Sequence, residues 1–251
     1  MAVNRFYTIF LFLLFAFYSH YLTAQDTGSN SVKISSNSFE DSATQMAQQV
    51  KNDHYLKPTA LLIPGTFLIY GGLKPAIHDI SKLDNQIMNH IQKNYPDFDT
   101  DVADYLMWVP SASVYVMDAF QIKTTHNFKD HLFLDAGSIL ITGALGFGMR
   151  KITENIEAYN SDNTRFPSGH TANAFRGAEI IHQELKFSRP VLSYSGYLMA
   201  TGVGLLRMYN KQHFLTEIVA GAGLGILSTK LTYWIFDKIK LTNNRKSNQI
   251  F

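Results

Sequence analysis

The chain contains no cysteine. Disulfide frameworks, thiolate nucleophiles and cysteine zinc sites are therefore excluded, and thiol usage carries no information about the compartment. Charge of one sign is also missing. The 22 Lys and Arg against 20 Asp and Glu leave a net +2, dispersed along the chain, so no broad cationic field exists for a nucleic-acid backbone. A mean hydropathy of −0.06 argues against a chain made mostly of membrane spans. No alternating apolar–polar pattern bounded by hairpin signals occurs, which removes the strand architectures. What remains is 251 residues, 46% of them hydrophobic, enough for one globular domain with its own core.

Phe6 to Gln25 is the longest uncharged run, preceded by Arg5 and ending in Leu22-Thr23-Ala24. It is read as a secretory signal peptide cleaved near Ala24, with an uncleaved membrane anchor as the competing reading. Export to a periplasm or cell envelope follows. The next segment, 25–55, is polar and unlike a core, so the expected folded domain spans 56–237 and a basic tail 238–251 closes the chain. Lys238, Lys240, Arg245 and Lys246 in that tail suit either solvent or an anionic membrane surface. Four shorter charge-free stretches lie inside the domain: 58–73, 105–117, 136–149 and 190–206. At 17 residues or fewer they are marginal as spans and read better as buried core helices, while a weakly hydrophobic multi-span protein stays open.

Helical spacing dominates the domain, and the expected class is an all-α bundle. Leu83, Ile87, Met88 and Ile91 recur at helical intervals after Ser81, a plausible cap, and Tyr95-Pro96 ends that segment. A second helix is expected over 100–120, kinked or broken by Pro110, and a third over 131–152. After a polar loop, Phe175, Ala178, Ile181 and Leu185 form an apolar stripe, with Arg176, Glu179 and Glu184 lying off it. Two apolar helices follow near 191–207 and 214–236. Ala220, Gly221, Ala222, Gly223 and Gly225 in the last one indicate close helix packing. A phosphate-cradling glycine loop is excluded there, because no strand precedes the glycines and no Lys-Ser/Thr follows them.

Two polar clusters interrupt this apolar pattern. In Arg165-Phe166-Pro167-Ser168-Gly169-His170-Thr171, a loop passes into a helix whose first N–H groups are unpaired and carry the positive end of the dipole, a natural seat for an anion. Ser168 adds a hydroxyl, Gly169 admits a ligand to the main chain, and His170 adds a titratable ring. The second cluster runs from Arg207 to His213, with Glu217 four residues further on. A carboxylate at i+4 can accept the Nδ1 proton of His213 and leave Nε2 as a base or nucleophile, beside a guanidinium that binds anions. Singly, each cluster is most often a helix start or a surface pair. Together they hold two histidines, cations, a hydroxyl and a helix N-terminus with named roles in phosphoryl transfer. Of the other histidines, His182 is expected to be partly buried and satisfied. His20, His54, His78, His90, His126 and His131 fall in the leader or in polar and boundary segments. No spacing supports a metal site.

Phe166-Pro167-Ser168-Gly169-His170-Thr171, and Arg207 followed after five residues by His213, resemble two of the three motifs of the type 2 phosphatidic acid phosphatase family. That family shares its helical fold and site with bacterial acid phosphatases and vanadium haloperoxidases, and the likeness extends over roughly 84–234. The resemblance implies a metal-independent phosphatase without a cofactor, acting on a phosphorylated small molecule or lipid. His213 would attack phosphorus, and His170 would protonate the leaving oxygen and then activate water. Arg207, Ser168, the Gly169 N–H and a cation from the first motif would hold the phosphate oxygens.

Two departures accompany it. Glu217 stands where the family has Asp. The family's first motif, Lys, six residues, then Arg-Pro, falls on Arg150, Glu157 and Ala158, or on Lys151, Ala158 and Tyr159. Two unit charges about 4 Å apart interact by about 4 kcal/mol at an effective dielectric of 20, so a glutamate in place of a guanidinium matters. Arg165 is the expected substitute cation, with Arg150 or Lys151 supplying the other. A non-catalytic envelope protein that keeps the fold, and a vanadium haloperoxidase, are the competing readings.

Overall fold

The structure is a computed structural model that describes residues 58–156 and 166–247. The leader, the polar segment up to residue 57, and Glu157, Ala158, Tyr159 and Arg165 lie outside the described residues. Among the described residues there is no strand. Eight α-helices follow one another: α1 (Leu62–Gly72), α2 (His78–Asn94), α3 (Val102–Leu106), α4 (Val109–Ala119), α5 (Phe128–Thr153), α6 (Gly169–Leu185), α7 (Ser195–Tyr209) and α8 (Leu215–Ser247). Short 3-10 turns, Pro58–Leu61 and Leu192–Tyr194, precede α1 and α7. The all-α class read from the sequence is the observed one.

Several boundaries differ, each for a local reason. α2 begins at His78 after an extended Ile77, and Ser81 is no cap, since its hydroxyl donates to the Lys74 carbonyl at 2.6 Å. The helix expected over 100–120 is two helices, with Pro110 in the first turn of α4, where its missing N–H costs no helical bond. The last helix does not stop near Phe236. It continues through the first ten residues of the basic tail to Ser247, and Lys240 pairs with Asp130 of α5 at 2.8 Å.

α6 is the central helix, packed against α4, α5, α7 and α8. Ile180, Ile181 and Leu185 meet Val114, Leu134 and Tyr233 in the main apolar cluster. α8 passes close to α6 and α1 through its small residues. A Cβ at Gly221 would stand 2.6 Å from the Ser168 carbonyl oxygen and one at Gly223 2.7 Å from that of Pro64. Only glycine allows that approach.

Arg176, Glu179 and Glu184, off the apolar stripe, are nonetheless fully buried. Each is paired by side chains from neighbouring helices, which is the condition for burying charge. Arg176 reaches Asp135, Ser138 at 2.8 Å, Ser111 at 2.9 Å and Asn173 at 3.0 Å. Glu179 accepts from Lys230 at 2.7 Å and from Tyr197. Glu184 accepts from Tyr233 at 2.6 Å and meets His126 at 2.9 Å and His131 at 3.2 Å. His131, placed in a boundary segment by its sequence, is therefore a core residue. His182 bonds Ser193 at 3.0 Å.

The opposite correction applies to two apolar stretches expected in the core. In 136–149 and its flanks, the α5 residues Phe133, Leu140 and Phe147 are 71%, 72% and 64% exposed, and in 58–73 the α1 residues Leu62, Ile63 and Ile69 are exposed as well. Phe133, Leu140 and Phe147 recur every seven residues, so they form one outward stripe. α5, with 26 residues and a length of about 39 Å, and the Leu215–Lys240 part of α8 are both long and apolar enough to cross a bilayer.

Candidate active site

The two polar clusters meet at one end of the bundle. Ser168, with extended backbone, is the N-cap of α6, and its hydroxyl lies 3.5 Å from the Thr171 N–H and 2.9 Å from the Thr171 hydroxyl. Helix geometry thus starts at Gly169, and His170 occupies the first turn. The Ser168 N–H donates to the Glu217 carbonyl at 3.1 Å, tying the start of α6 to the start of α8 by main chain alone.

At the start of α8, Leu215 opens the helix and Glu217 is its third residue. Its Oε2 accepts from the Phe214 N–H at 3.2 Å, half of a capping box. The same oxygen accepts from His213 Nδ1 at 2.8 Å. A carboxylate can only accept, so the proton sits on Nδ1 and Nε2 keeps its lone pair. Glu217 is wholly buried and His213 is 7% exposed, so this pair is held in a fixed geometry. The longer glutamate side chain thus reaches His213 Nδ1 from four residues along the helix.

His170 has a carboxylate of its own. Its Nε2 lies 2.9 Å from Asp104 Oδ1 on α3, and Arg207 NH1, from the last turn of α7, lies 2.9 Å from the same oxygen. Outside the two long apolar helices, burial first and then the Arg207 charge lower the pKa of His170 below its ordinary 6.5, while Asp104 opposes them.

His170, Arg207 and His213 border a cavity of about 850 Å³ together with Arg150, Gly169, Asn210, Lys211, Gln212 and the segment 96–99. That segment forms the far wall. Lys211, in the left-handed region at φ 60°, donates to the carbonyls of Pro96 at 2.5 Å and Phe98 at 3.3 Å, and Asn210 donates to that of Thr100 at 2.6 Å. The Tyr209 ring packs edge-on against Tyr95 and Phe98. From below, Asp84 accepts from the Thr216 N–H at 3.2 Å and from its hydroxyl, and Lys74 pairs with Asp84 at 3.5 Å. Asp84 thus serves α8 as an N-terminal partner from another helix.

Not every candidate takes the place expected of it. Arg150 borders the cavity, and a Cβ on Gly169 would stand 3.0 Å from its guanidinium. Lys151, the next residue, points elsewhere: it is 58% exposed and pairs with Glu154 at 2.9 Å. Ser168 is fully buried, its hydroxyl is used in the cap, and it is not among the residues lining the cavity. Arg165 and the Glu157–Tyr159 segment lie outside the described residues. Sequence reasoning missed Asp104, Asp84, Lys74, Asn210 and Lys211 as parts of the site. Asn210 and Lys211 lay inside the second cluster and could have been weighed. Asp104 and Asp84 gave no signal, because their partners are far away along the chain.

Among the described residues no group of His, Asp and Glu has the arrangement of a metal site. The arrangement brings a buried imidazole held by a carboxylate, a second imidazole, two guanidinium groups and helix-terminal N–H groups around one cavity. Such a set of groups can receive a tetrahedral anion and place a ring nitrogen beside it.

Residues 118–241 match the model of the PAP2 superfamily. A lipid A 1-phosphatase of Porphyromonas gingivalis is 35% identical over 111 residues, which cover 41% of this chain and 25% of that protein. The aligned part is thus about a quarter of that relative's length. A crystal structure of a transmembrane PAP2-type phosphatidylglycerolphosphate phosphatase from Bacillus subtilis superposes with a TM-score of 0.49 at 20% identity, covering 70% of this chain and 97% of that one.

Proposed function

With residues 118–241 matching the model of the PAP2 superfamily, we propose that this chain is a metal-independent phosphatase that hydrolyses a lipid phosphate monoester through a phosphohistidine on His213. The observation that carries the reading is the buried His213–Glu217 bond of 2.8 Å at the wall of a cavity also bordered by His170, Arg150 and Arg207.

The chemistry follows from the charges. His213 Nε2 attacks phosphorus and the N–P bond forms as the ester P–O bond breaks. The proton on His170 passes to the leaving oxygen, so an alcohol departs and not an alkoxide. Arg207, Arg150 and the N–H groups at the start of α6 bear the charge of the equatorial oxygens. In the second half, water gives a proton to His170 and its oxygen bonds to phosphorus while the N–P bond breaks. Inorganic phosphate leaves, and both histidines return to their starting states.

A lipid substrate is supported by the similarity to a lipid A 1-phosphatase and by the outward apolar stripe of α5. That stripe fits hydrocarbon, with the buried Arg176, Glu179 and Glu184 on the inside of a membrane-embedded bundle. Export through the leader at 1–24, which places the site in the periplasm or cell envelope, belongs to the same reading.

The test is phosphate release by the purified full chain and by its His213→Ala variant, on an aryl phosphate and a phosphatidic acid, in EDTA. The expected result is release by the wild type alone, insensitive to EDTA and inhibited by vanadate, which mimics the five-coordinate phosphorus. Equal release by the variant removes the phosphohistidine. No release by either, with circular dichroism showing folded chains, removes the phosphatase.

A further inference from the structure

The two site histidines carry parallel attachments. His213 is held through Nδ1 by Glu217, and His170 through Nε2 by Asp104, at 2.8 and 2.9 Å. Asp104 is not among the residues that line the cavity, although both of its partners are. It therefore grips His170 and Arg207 from behind and leaves the cavity free. Its side chain is 47% exposed, and the oxygen that accepts from His170 is the one that accepts from Arg207. Asp104 lies in the first turn of α3, where a carboxylate suits the helix dipole, but its Oδ1 is turned to His170 and Arg207. α3, only five residues long, carries it between the two groups that would face a phosphate ester.

We propose that Asp104 is a positioning residue for phosphoryl transfer, which holds the His170 ring and the Arg207 guanidinium in one frame and keeps His170 able to carry a proton. This rests on the phosphatase reading above. Without the carboxylate, the ring would share the cavity with the Arg207 and Arg150 guanidinium groups and the His213 ring, with no compensating charge. With Nε2–H committed to Asp104, the proton exchanged with the ester oxygen is the one on Nδ1. Asp104 neither touches phosphorus nor takes up a proton. Its contribution is orientation and charge balance, as second-layer carboxylates do for ligand histidines.

The test compares wild type with Asp104→Asn, Asp104→Glu and, as a control, Asp101→Asn, which removes an exposed charge at the start of the same helix. In the resting full chain, with ¹⁵N-labelled histidine and a His170→Gln spectrum for assignment, the His170 titration is expected to move to lower pH in Asp104→Asn and to stay in place in Asp101→Asn. On a phosphate ester, kcat is expected to fall about tenfold in Asp104→Asn. The alkaline limb of kcat/KM should move to lower pH, and Asp104→Glu should restore part of both. An unmoved His170 titration with an unmoved pH profile overturns the proposal. A wild type that releases no phosphate while Asp104→Asn still moves the titration removes the phosphatase reading and leaves the contact standing. Turnover with no shift does the reverse.

Discussion

Glu217 and Asp104 hold the two site histidines under opposite conditions. Glu217 is wholly buried, belongs to the same helix start as its histidine, and also bonds the Phe214 N–H. Asp104 is half in solvent, comes from a distant helix, and divides one oxygen between a histidine and an arginine. A buried local pair gives one tautomer and one orientation, which a nucleophile needs. A half-exposed shared pair is screened by water and so acts more weakly on the ring it orients, which suits the proton exchange proposed for His170.

The largest expected effect comes from Glu217→Gln. A neutral amide cannot fix the His213 tautomer as a carboxylate does, and kcat should fall by about 10³–10⁴-fold, the scale seen when a histidine loses its orienting carboxylate. The variant should also lose about 1 kcal/mol in a denaturant melt, because the cap on Phe214 weakens. Retention of a tenth of the activity would put Glu217 on the same footing as Asp104 and dissolve the contrast.

The pH profile sharpens the comparison next. In the proposed reaction His170 is protonated when it releases the alcohol, and its pKa is lowered by burial and by Arg207 more than Asp104 raises it. The protonated form is therefore lost as pH rises through a value under 6.5, so the alkaline limb of kcat/KM should lie below 6.5 at constant ionic strength. A limb above 6.5 would mean that Asp104 outweighs burial and Arg207.

A smaller effect is expected of Gly169→Ala, whose Cβ would press on the Arg150 guanidinium from 3.0 Å. The end of a flexible side chain can give way, so KM should rise a few-fold, about 1 kcal/mol or less, with kcat little changed. Lys151→Ala should be nearly silent. The exposed i,i+3 pair with Glu154 contributes at most about 0.5 kcal/mol, and activity should stay within about twofold. A tenfold loss would return Lys151 to the phosphate site in place of Arg150.

Local features of the site were legible in the sequence. Glu217 four residues after His213, and Ser168 ahead of Gly169 and His170, are patterns of a single helical turn, and the structure realises them as a bond and a cap. The role of Ser168 was not legible, because a hydroxyl can serve a cap or a ligand and only its surroundings decide. Asp104 was invisible for another reason: an acidic residue on a short helix is usually solvated, and what makes this one different is the approach of α6 and α7.

The fold divides in the same way. Periodicity was enough for the helices and for the dense packing of α8 through its glycines. It could not say which apolar stripe faces inward, and so Leu140 and Phe147 were expected in the core while Arg176, Glu179 and Glu184 lay off its stripe. The structure reverses both, since a polar side chain can be buried wherever neighbouring helices supply partners, and an apolar one can face outward.

The sequence by itself determined the all-α class, the two histidine clusters and the His213–Glu217 pair, because helical geometry links residues three and four apart whatever surrounds them. Only the tertiary structure decided that Asp104 meets His170 and Arg207, that Arg150 and not Lys151 borders the cavity, and that α5 turns its apolar face outward. Those outcomes depend on how separate helices approach one another, a matter of close packing and charge pairing summed over the whole bundle.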